Sequence, residues 1–276
     1  MGLSLHDFEI EWRECGTGDV VLFVHGFPFN SAMWGQQLAA LPPAWRGIAP
    51  DLRGFGASGE TAHDVYGMDI MADDVAALLD RLKIERAVIC GLSMGGYIAF
   101  ELWRRHEDRV RAMVLCDTKA GPDSPEAQDA RRNLAQQALA VGTTAVIETM
   151  LPRLLSHATL RRKPRVVSMV RAMMEETPAE TMARALLGMA LRSDAEPLLR
   201  TIDVPVLVLW GEDDVITGRG QGEMLARGIR GARLEVLAGA GHLPNVEAPE
   251  EFNAALTKFL AGLPRDTIST RRVLRV

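Results

Sequence analysis

The chain alternates between short, almost continuously apolar runs and longer segments whose apolar residues recur at helical spacing. The apolar runs are Val20–Val24, Ala87–Cys90, Val110–Cys116 and Val206–Trp210. Runs of this kind are typical of strands that are covered on both faces. Because helical segments separate them, the sequence predicts a mostly parallel sheet flanked by helices, an α/β fold. Sheets of this type bind their ligands at the carboxyl ends of the strands.

Weaker patterns extend the sheet and place the helices between its strands. Further strands are predicted over Phe8–Trp12, Arg46–Pro50 and Leu234–Leu237. Helices are predicted over Ala32–Leu41 with Ser31 as its cap, and over Met68–Leu82, Met94–Arg105, Glu223–Ile229 and Pro249–Leu260.

Residues 118–200 interrupt this alternation, since they contain helix starts and no strand pattern. Gly142 and Pro164 each open a helix, and Thr177–Glu180 and Ser193–Glu196 have the form of capping boxes. We therefore expect an all-helical cap over 118–200, inserted into a core formed by 1–117 and 201–264, with a C-terminal tail over 265–276.

The composition excludes several classes of function. Hydrophobic residues make up 47% of the chain and charged residues 24%, which is ordinary for a soluble globular protein. The net charge of −5 argues against a nucleic-acid partner, because phosphate binding needs a basic face. The apolar runs are far shorter than a membrane span, and the first residues lack the pattern of a secretory signal. We expect a cytoplasmic enzyme, monomeric or homodimeric, with neither a nucleic-acid nor a membrane partner.

The strongest chemical signal is the segment Gly91-Leu-Ser-Met-Gly95, which lies directly between a predicted strand and a predicted helix. A serine on so tight a turn exposes its hydroxyl at the amino end of the helix, where free N–H groups favour a developing negative charge. Glycine is needed two residues before and after it, because side chains there would collide. Ser93 is therefore the predicted nucleophile.

A serine nucleophile needs a base and an acid that orients the base. In enzymes built on such a turn, both follow the serine along the chain. His242 is the predicted base because it lies in a glycine-rich loop after the last strand. Asp214, in the loop after Val206–Trp210, is the predicted acid, while Asp213 and Asp117 remain alternatives for that role.

The loop after Val20–Val24 is expected to complete the site. It reads His25-Gly-Phe-Pro28, and the backbone N–H groups of Phe27 and Met94 are predicted to form the oxyanion hole. His25 is expected to bond nearby backbone rather than to act as a second base.

A nucleotide cofactor and a metal ion are both disfavoured. Gly54–Gly59 fits the spacing of a dinucleotide-binding glycine motif, with Asp74 twenty residues after its first glycine. However, no helix pattern opens at Gly59, and Asp74 lies inside a predicted helix rather than after a second strand. The three cysteines form no CxxC pair, and no HExxH segment is present. The protein is expected to work without a cofactor and without a metal.

Taken together, these segments resemble the α/β-hydrolase superfamily. The resemblance runs from about Val20 to Leu260 and includes the His25 loop, the segment Asp51–Ser58, the glycine-flanked serine, Gly211–Asp214 and the His242 loop. It implies an eight-stranded, mostly parallel sheet with a helical cap, and the triad Ser93, Asp214 and His242. Within the superfamily, the chain is similar to small carboxylesterases, 3-oxoadipate enol-lactonases and cofactor-free perhydrolases.

The expected activity is hydrolysis of small, partly apolar esters or lactones through an acyl-enzyme. Trp34, Met150 and Met173 are predicted to contact the substrate. Hydrolysis of a carbon–carbon bond and perhydrolysis use the same triad and stay open, as does a ligand receptor that keeps the fold without catalysis.

Overall fold

An eight-stranded sheet forms the centre of the computed structural model, which describes residues 1–5 and 7–264. The strands lie in the order β1-β2-β4-β3-β5-β6-β7-β8. They are β1 (Gly2–Leu5), β2 (Phe8–Gly16), β3 (Asp19–Val24), β4 (Trp45–Pro50), β5 (Ala87–Leu92), β6 (Val110–Cys116), β7 (Val206–Gly211) and β8 (Arg233–Leu237). β1 pairs with β2 and β2 with β4 in antiparallel fashion, and all other neighbours are parallel. The predicted fold class is confirmed.

Helices cover both faces of this sheet. Those of the core are α1 (Gly35–Ala40), α2 (Met68–Arg81), α3 (Met94–His106), α9 (Arg219–Gly228), α10 (Pro244–Glu247) and α11 (Pro249–Ala261), with 3-10 turns at Ser31–Trp34, Glu107–Arg109 and Glu196–Arg200. Successive residues of β3 enter opposite cores, Leu22 with the α2–α3 side and Phe23 with the α1–α11 side. Burial on both faces explains why the central strands are continuously apolar.

Five helices lie between β6 and β7. They are α4 (Pro125–Val141), α5 (Thr144–Leu154), α6 (His157–Arg162), α7 (Pro164–Glu175) and α8 (Ala179–Ala190). No strand occurs between β6 and β7, a stretch that the structure describes in full. The domain boundaries at 118 and 200 stay a prediction, and the predicted tail at 265–276 lies outside the described residues. Within the described residues, no helix combines the length and the apolar character needed to traverse a bilayer.

Several local predictions need correction. β1 was not expected, and α4 was not singled out within the expected helical cap, because β1 is too short and α4 too polar to give a clear apolar period. Asn30 rather than Ser31 caps the first helical turn, since its side chain accepts a hydrogen bond from the N–H of Ala32. Neither expected capping box forms, because α8 and the turn at Glu196–Arg200 both begin without a side-chain cap.

The glycine motif at Gly54–Gly59 belongs to a loop. Helix α2 begins only at Met68, as the sequence indicated. Asp74 faces inward from α2, and its two carboxylate oxygens each accept a hydrogen bond of 2.6 Å from the guanidinium of Arg53. Both side chains are 2% exposed, so this ion pair is a buried contact between the glycine-rich loop and α2.

Candidate active site

Ser93 lies on the sharp turn between β5 and α3. Its backbone adopts φ 53° and ψ −110°, a left-handed conformation that non-glycine residues rarely take. A Cβ on Gly91 would lie 2.3 Å from the carbonyl oxygen of Gly95, and one on Gly95 would lie 2.2 Å from that of Val24. The two flanking glycines are therefore required by backbone packing, as the sequence pattern predicted.

Hydrogen bonds fix this turn against the neighbouring strand. The N–H of Ser93 donates to the carbonyl of Cys116 at 2.9 Å, and the hydroxyl of Thr118 donates to the carbonyl of Ser93 at 2.8 Å. Thr118 was not singled out from the sequence, because nothing in its local pattern distinguishes it. The strained serine is thus held from the end of β6.

His242 and Asp214 form a hydrogen-bonded pair. The distance between His242 Nδ1 and Asp214 Oδ1 is 3.0 Å, and the two side chains are 3% and 0% exposed. Asp214 Oδ1 also accepts the N–H of Ile216 at 2.8 Å, and Oδ2 accepts the hydroxyl of Thr217. Burial raises the pKa of Asp214, but His242 and these donors outweigh it and lower the pKa below its ordinary value. Asp214 is therefore held as a carboxylate.

The sheet order brings the functional loops to one edge. Strands β5, β6, β7 and β8 are parallel neighbours, so the residues after each of them emerge on the same side. The loops after β7 and β8 are in direct contact, since the N–H of Asp213 donates to the carbonyl of Ala240 at 2.8 Å. Ser93, Asp214 and His242 all belong to this edge.

β3 borders β5 on the side opposite β6, so the loop after β3 reaches Ser93 from that side. A Cβ on Gly26 would lie 3.5 Å from the Cβ of Ser93, so this loop runs directly beside the nucleophile. Phe27 precedes a cis peptide bond to Pro28, and Met94 is the first residue of α3. Neither backbone N–H donates a hydrogen bond within residues 1–5 and 7–264. Both are free to bind an oxyanion, the role that the sequence predicted for them.

His25 holds this loop in place. Its Nε2 accepts the N–H of Leu52 at 3.1 Å, and its Nδ1 lies 2.9 Å from the carbonyl of Gly26, which assigns the proton to Nδ1. Burial lowers the pKa of His25, which favours the neutral ring that these bonds require. The expectation that His25 bonds nearby backbone matches this arrangement.

The three predicted substrate contacts lie in different surroundings. Trp34 is fully buried, and its ring packs 5.1 Å from that of Phe23 and 6.1 Å from that of Phe252, between the sheet and α11. Met150 and Met173 lie on α5 and α7 of the cap, and Met173 is buried in the core that extends from the α1–α11 face. A substrate-binding role for all three stays a prediction.

Glu247 ties the cap to the His242 loop. One carboxylate oxygen accepts the N–H of Gly241 and the other accepts the N–H of Ser156, both at 2.8 Å. The N–H of His242 itself donates to the carbonyl of Leu154 in the cap at 3.0 Å. No role for Glu247 was predicted from the sequence, because its partner in the cap, Ser156, lies ninety-one residues away in the chain.

The three candidates for the orienting acid differ in burial and in hydrogen bonding, since only Asp214 is bonded to His242. Asp213 is exposed, whereas Asp117 is fully buried at the end of β6. One ligand atom each from Asp117, Asp214 and His242 lies within 4.8 Å of the others, which is the only such cluster among the described residues. His242 Nδ1 is already bonded to Asp214 Oδ1. The cluster therefore has the chemistry of an acid–base pair rather than of an open metal site.

Comparisons with known proteins agree with this architecture. A profile of the alpha/beta hydrolase fold matches residues 19–249. The 3-oxoadipate enol-lactonase 2 of Acinetobacter baylyi is 32% identical over 256 residues, covering 92% of this chain and 94% of that protein. A thermophilic esterase from Thermogutta terrifontis, solved with malate bound, is 42% identical with a TM-score of 0.90, covering 93% of this chain and 94% of its own.

A second solved structure extends the match across the whole fold. The enol-lactonase from Burkholderia xenovorans is 32% identical with a TM-score of 0.88, and the alignment covers 95% of this chain and 100% of that one. The resemblance drawn from the sequence motifs is thereby confirmed. The chain belongs to the α/β-hydrolase fold family.

Proposed function

We propose that this chain hydrolyses carboxylic esters or lactones of small, partly apolar substrates through an acyl-enzyme on Ser93. The observation that carries the proposal is the buried His242–Asp214 hydrogen bond, 3.0 Å long, at the sheet edge where the strained Ser93 turn begins α3. Esterases and enol-lactonases among the relatives support the substrate class.

In the first step, the Ser93 hydroxyl attacks the ester carbonyl while His242 accepts its proton. The carbon–oxygen bond formed makes a tetrahedral intermediate, whose oxyanion accepts hydrogen bonds from the N–H groups of Phe27 and Met94. The positive charge that develops on His242 is stabilised by the Asp214 carboxylate, which is already ionised before substrate binds.

Collapse of the intermediate breaks the bond to the leaving alcohol, and His242 returns the proton to that oxygen. Water then attacks the acyl-enzyme, again deprotonated by His242, and the acid is released as Ser93 regains its proton. For a lactone the alcohol stays attached to the acyl group, so ring opening gives one product. No redox step or external cofactor is needed for this balance.

A panel of p-nitrophenyl esters of increasing acyl length, together with simple lactones, tests the proposal. Ser93→Ala and His242→Ala are each expected to lower kcat by several orders of magnitude while the fold is retained. A fluorophosphonate reagent is expected to add its phosphonyl mass to Ser93 in the wild-type protein. Ser168→Ala, an exposed serine on α7, is the matched control and is expected to hydrolyse at the wild-type rate.

The alternative of a ligand receptor predicts the opposite pattern. Tight binding of a small molecule, combined with no turnover on any acyl substrate and no phosphonylation of Ser93, would refute the enzymatic proposal. Turnover that survives Ser93→Ala would refute the assignment of the nucleophile.

A further inference from the structure

Asp117 is a buried carboxyl group that the two catalytic steps do not use. It follows β6 directly, is 0% exposed, and adopts a positive φ of 41°. Its N–H donates to the carbonyl of Leu209 at 3.2 Å, and its Oδ1 accepts the N–H of Gly211 at 2.9 Å. Two strand ends therefore hold this carboxyl group in one orientation.

The second oxygen of Asp117 has no donor. Oδ2 is buried and accepts no hydrogen bond within the described residues. The neighbouring side chain is Asp214, whose carboxylate is itself only an acceptor. A buried carboxylate oxygen without a donor is strongly unfavourable, whereas a proton on that oxygen makes it a donor, with the Asp214 carboxylate as the neighbouring acceptor.

The titratable groups around Asp117 also favour its protonated form. Burial raises the pKa of Asp117 well above its usual value, and the negative charge of Asp214 raises it further. The other titratable groups at this position are the Cys116 thiol and His242. Asp117 and Asp214 each place a carboxylate oxygen within 4.8 Å of the other. Two carboxylates this close do not both ionise when only one of them is paired with a histidine.

We propose that Asp117 stays protonated and acts as a positioning residue, donating a hydrogen bond to the Asp214 carboxylate and so holding the acid that orients His242. The proton remains on Asp117 throughout, while only Ser93, His242, the leaving alcohol and water exchange protons. The cluster then carries one negative charge, which matches the single positive charge on His242 during turnover. The catalytic consequence rests on the proposed function, but the protonation state does not.

The first test is Asp117→Asn, whose amide replaces the acid O–H as a donor and tolerates the positive φ. We expect kcat within about 3-fold of wild type and an unchanged acidic limb of kcat/KM, because no charge has been removed. If Asp117 were ionised, its negative charge would instead favour the catalytic base in its protonated form, and Asp117→Asn would shift that limb to lower pH by on the order of 1 pH unit or more. Such a shift would overturn the proposal.

The second variant removes the donor without straining the backbone. Asp117→Gly keeps the positive φ and is expected to lower kcat by about 10-fold with little change in KM, because a hydrogen bond to a charged group is lost. Full activity in Asp117→Gly would show that the donor is dispensable and would refute the positioning role. Glu250→Gln, which removes an exposed charge from the first turn of α11, is the control and is expected to leave kcat and the pH profile unchanged.

A direct measurement separates this inference from the enzymatic proposal. At neutral pH, infrared difference spectra of wild type against Asp117→Asn are expected to contain the C=O stretch of one protonated carboxylic acid. A carboxylate band in its place would overturn the inference whether or not the protein hydrolyses esters. Persistence of the acid band in a protein with no esterase activity would refute the proposed function alone.

Discussion

Replacing Gly91 with alanine tests how strictly the serine turn depends on close backbone contact. The added Cβ would lie 2.3 Å from the carbonyl oxygen and 2.5 Å from the carbonyl carbon of Gly95, and 2.8 Å from the nitrogen of Gly96. All three atoms are backbone, so no side chain can rotate to make room. Relief of the clash must move β5 and the first turn of α3 apart.

The size of that movement follows from the contact distance. Non-bonded atoms in proteins rest about 3.5 Å apart, so the closest contact is short by about 1 Å. A displacement of about 1 Å at a reacting group costs roughly 100-fold in rate, and overpacking of this kind costs about 1–3 kcal/mol of stability. We therefore expect kcat to fall about 100-fold and Tm to fall by roughly 3–10 °C.

Short-chain p-nitrophenyl ester hydrolysis and a thermal melt measure both effects. Gly220→Ala is the matched control, because a Cβ there, in the first turn of α9, meets nothing within 4 Å. It is expected to retain full activity and an equal or slightly higher Tm. A Gly91→Ala protein with wild-type kcat would refute the argument that backbone contact requires glycine at this position.

Three further changes test contacts elsewhere in the fold. Arg53→Met leaves the Asp74 carboxylate buried without its arginine, and is expected to lower the free energy of unfolding in urea by about 3–5 kcal/mol. Burial raises the pKa of Asp123, but two arginines and a lysine outweigh it and hold the pKa well below the usual range. Asp123→Asn should therefore lower Tm at pH 7, with the difference shrinking as pH falls below about 4, where the unfolded-state carboxyl is protonated. Glu247→Gln is expected to reduce kcat about 10-fold and to speed proteolysis of the cap, since an amide cannot accept both N–H bonds equally.

Each of these predictions has a result that contradicts it. The double variant Arg53→Met/Asp74→Leu should regain part of the lost stability, and no recovery would mean that loss of the arginine beside the Asp74 carboxylate was not the cause. A Tm difference for Asp123→Asn that stays constant from pH 7 to pH 3 would exclude the linkage argument. Wild-type kcat and cap proteolysis in Glu247→Gln would show that the two backbone contacts are dispensable. The control for Glu247→Gln is Glu250→Gln, which makes the same change at an exposed carboxyl group.

The strands and the serine turn could be predicted because their signals are local. Burial on both faces forces continuous apolar runs, and the tight turn forces glycine at 91 and 95, so a few adjacent residues suffice. The helix starts were predicted less reliably, because a capping side chain can bond to a distant part of the fold instead of to its own helix. Thr177 has the sequence of a cap, yet its hydroxyl donates to the carbonyl of Pro28 at 2.9 Å, a tertiary contact that overrides the local pattern.

The sequence by itself determined the sheet, the turn that presents Ser93, and the candidates for base and acid. Only the tertiary structure shows which of the three acids is hydrogen-bonded to His242, because Asp117, Asp213 and Asp214 share the same chemistry and differ in their surroundings. It also decided the role of Glu247, whose carboxylate joins backbone groups far apart in the chain. These contacts depend on the order in which strands pair, and no local window of sequence contains that order.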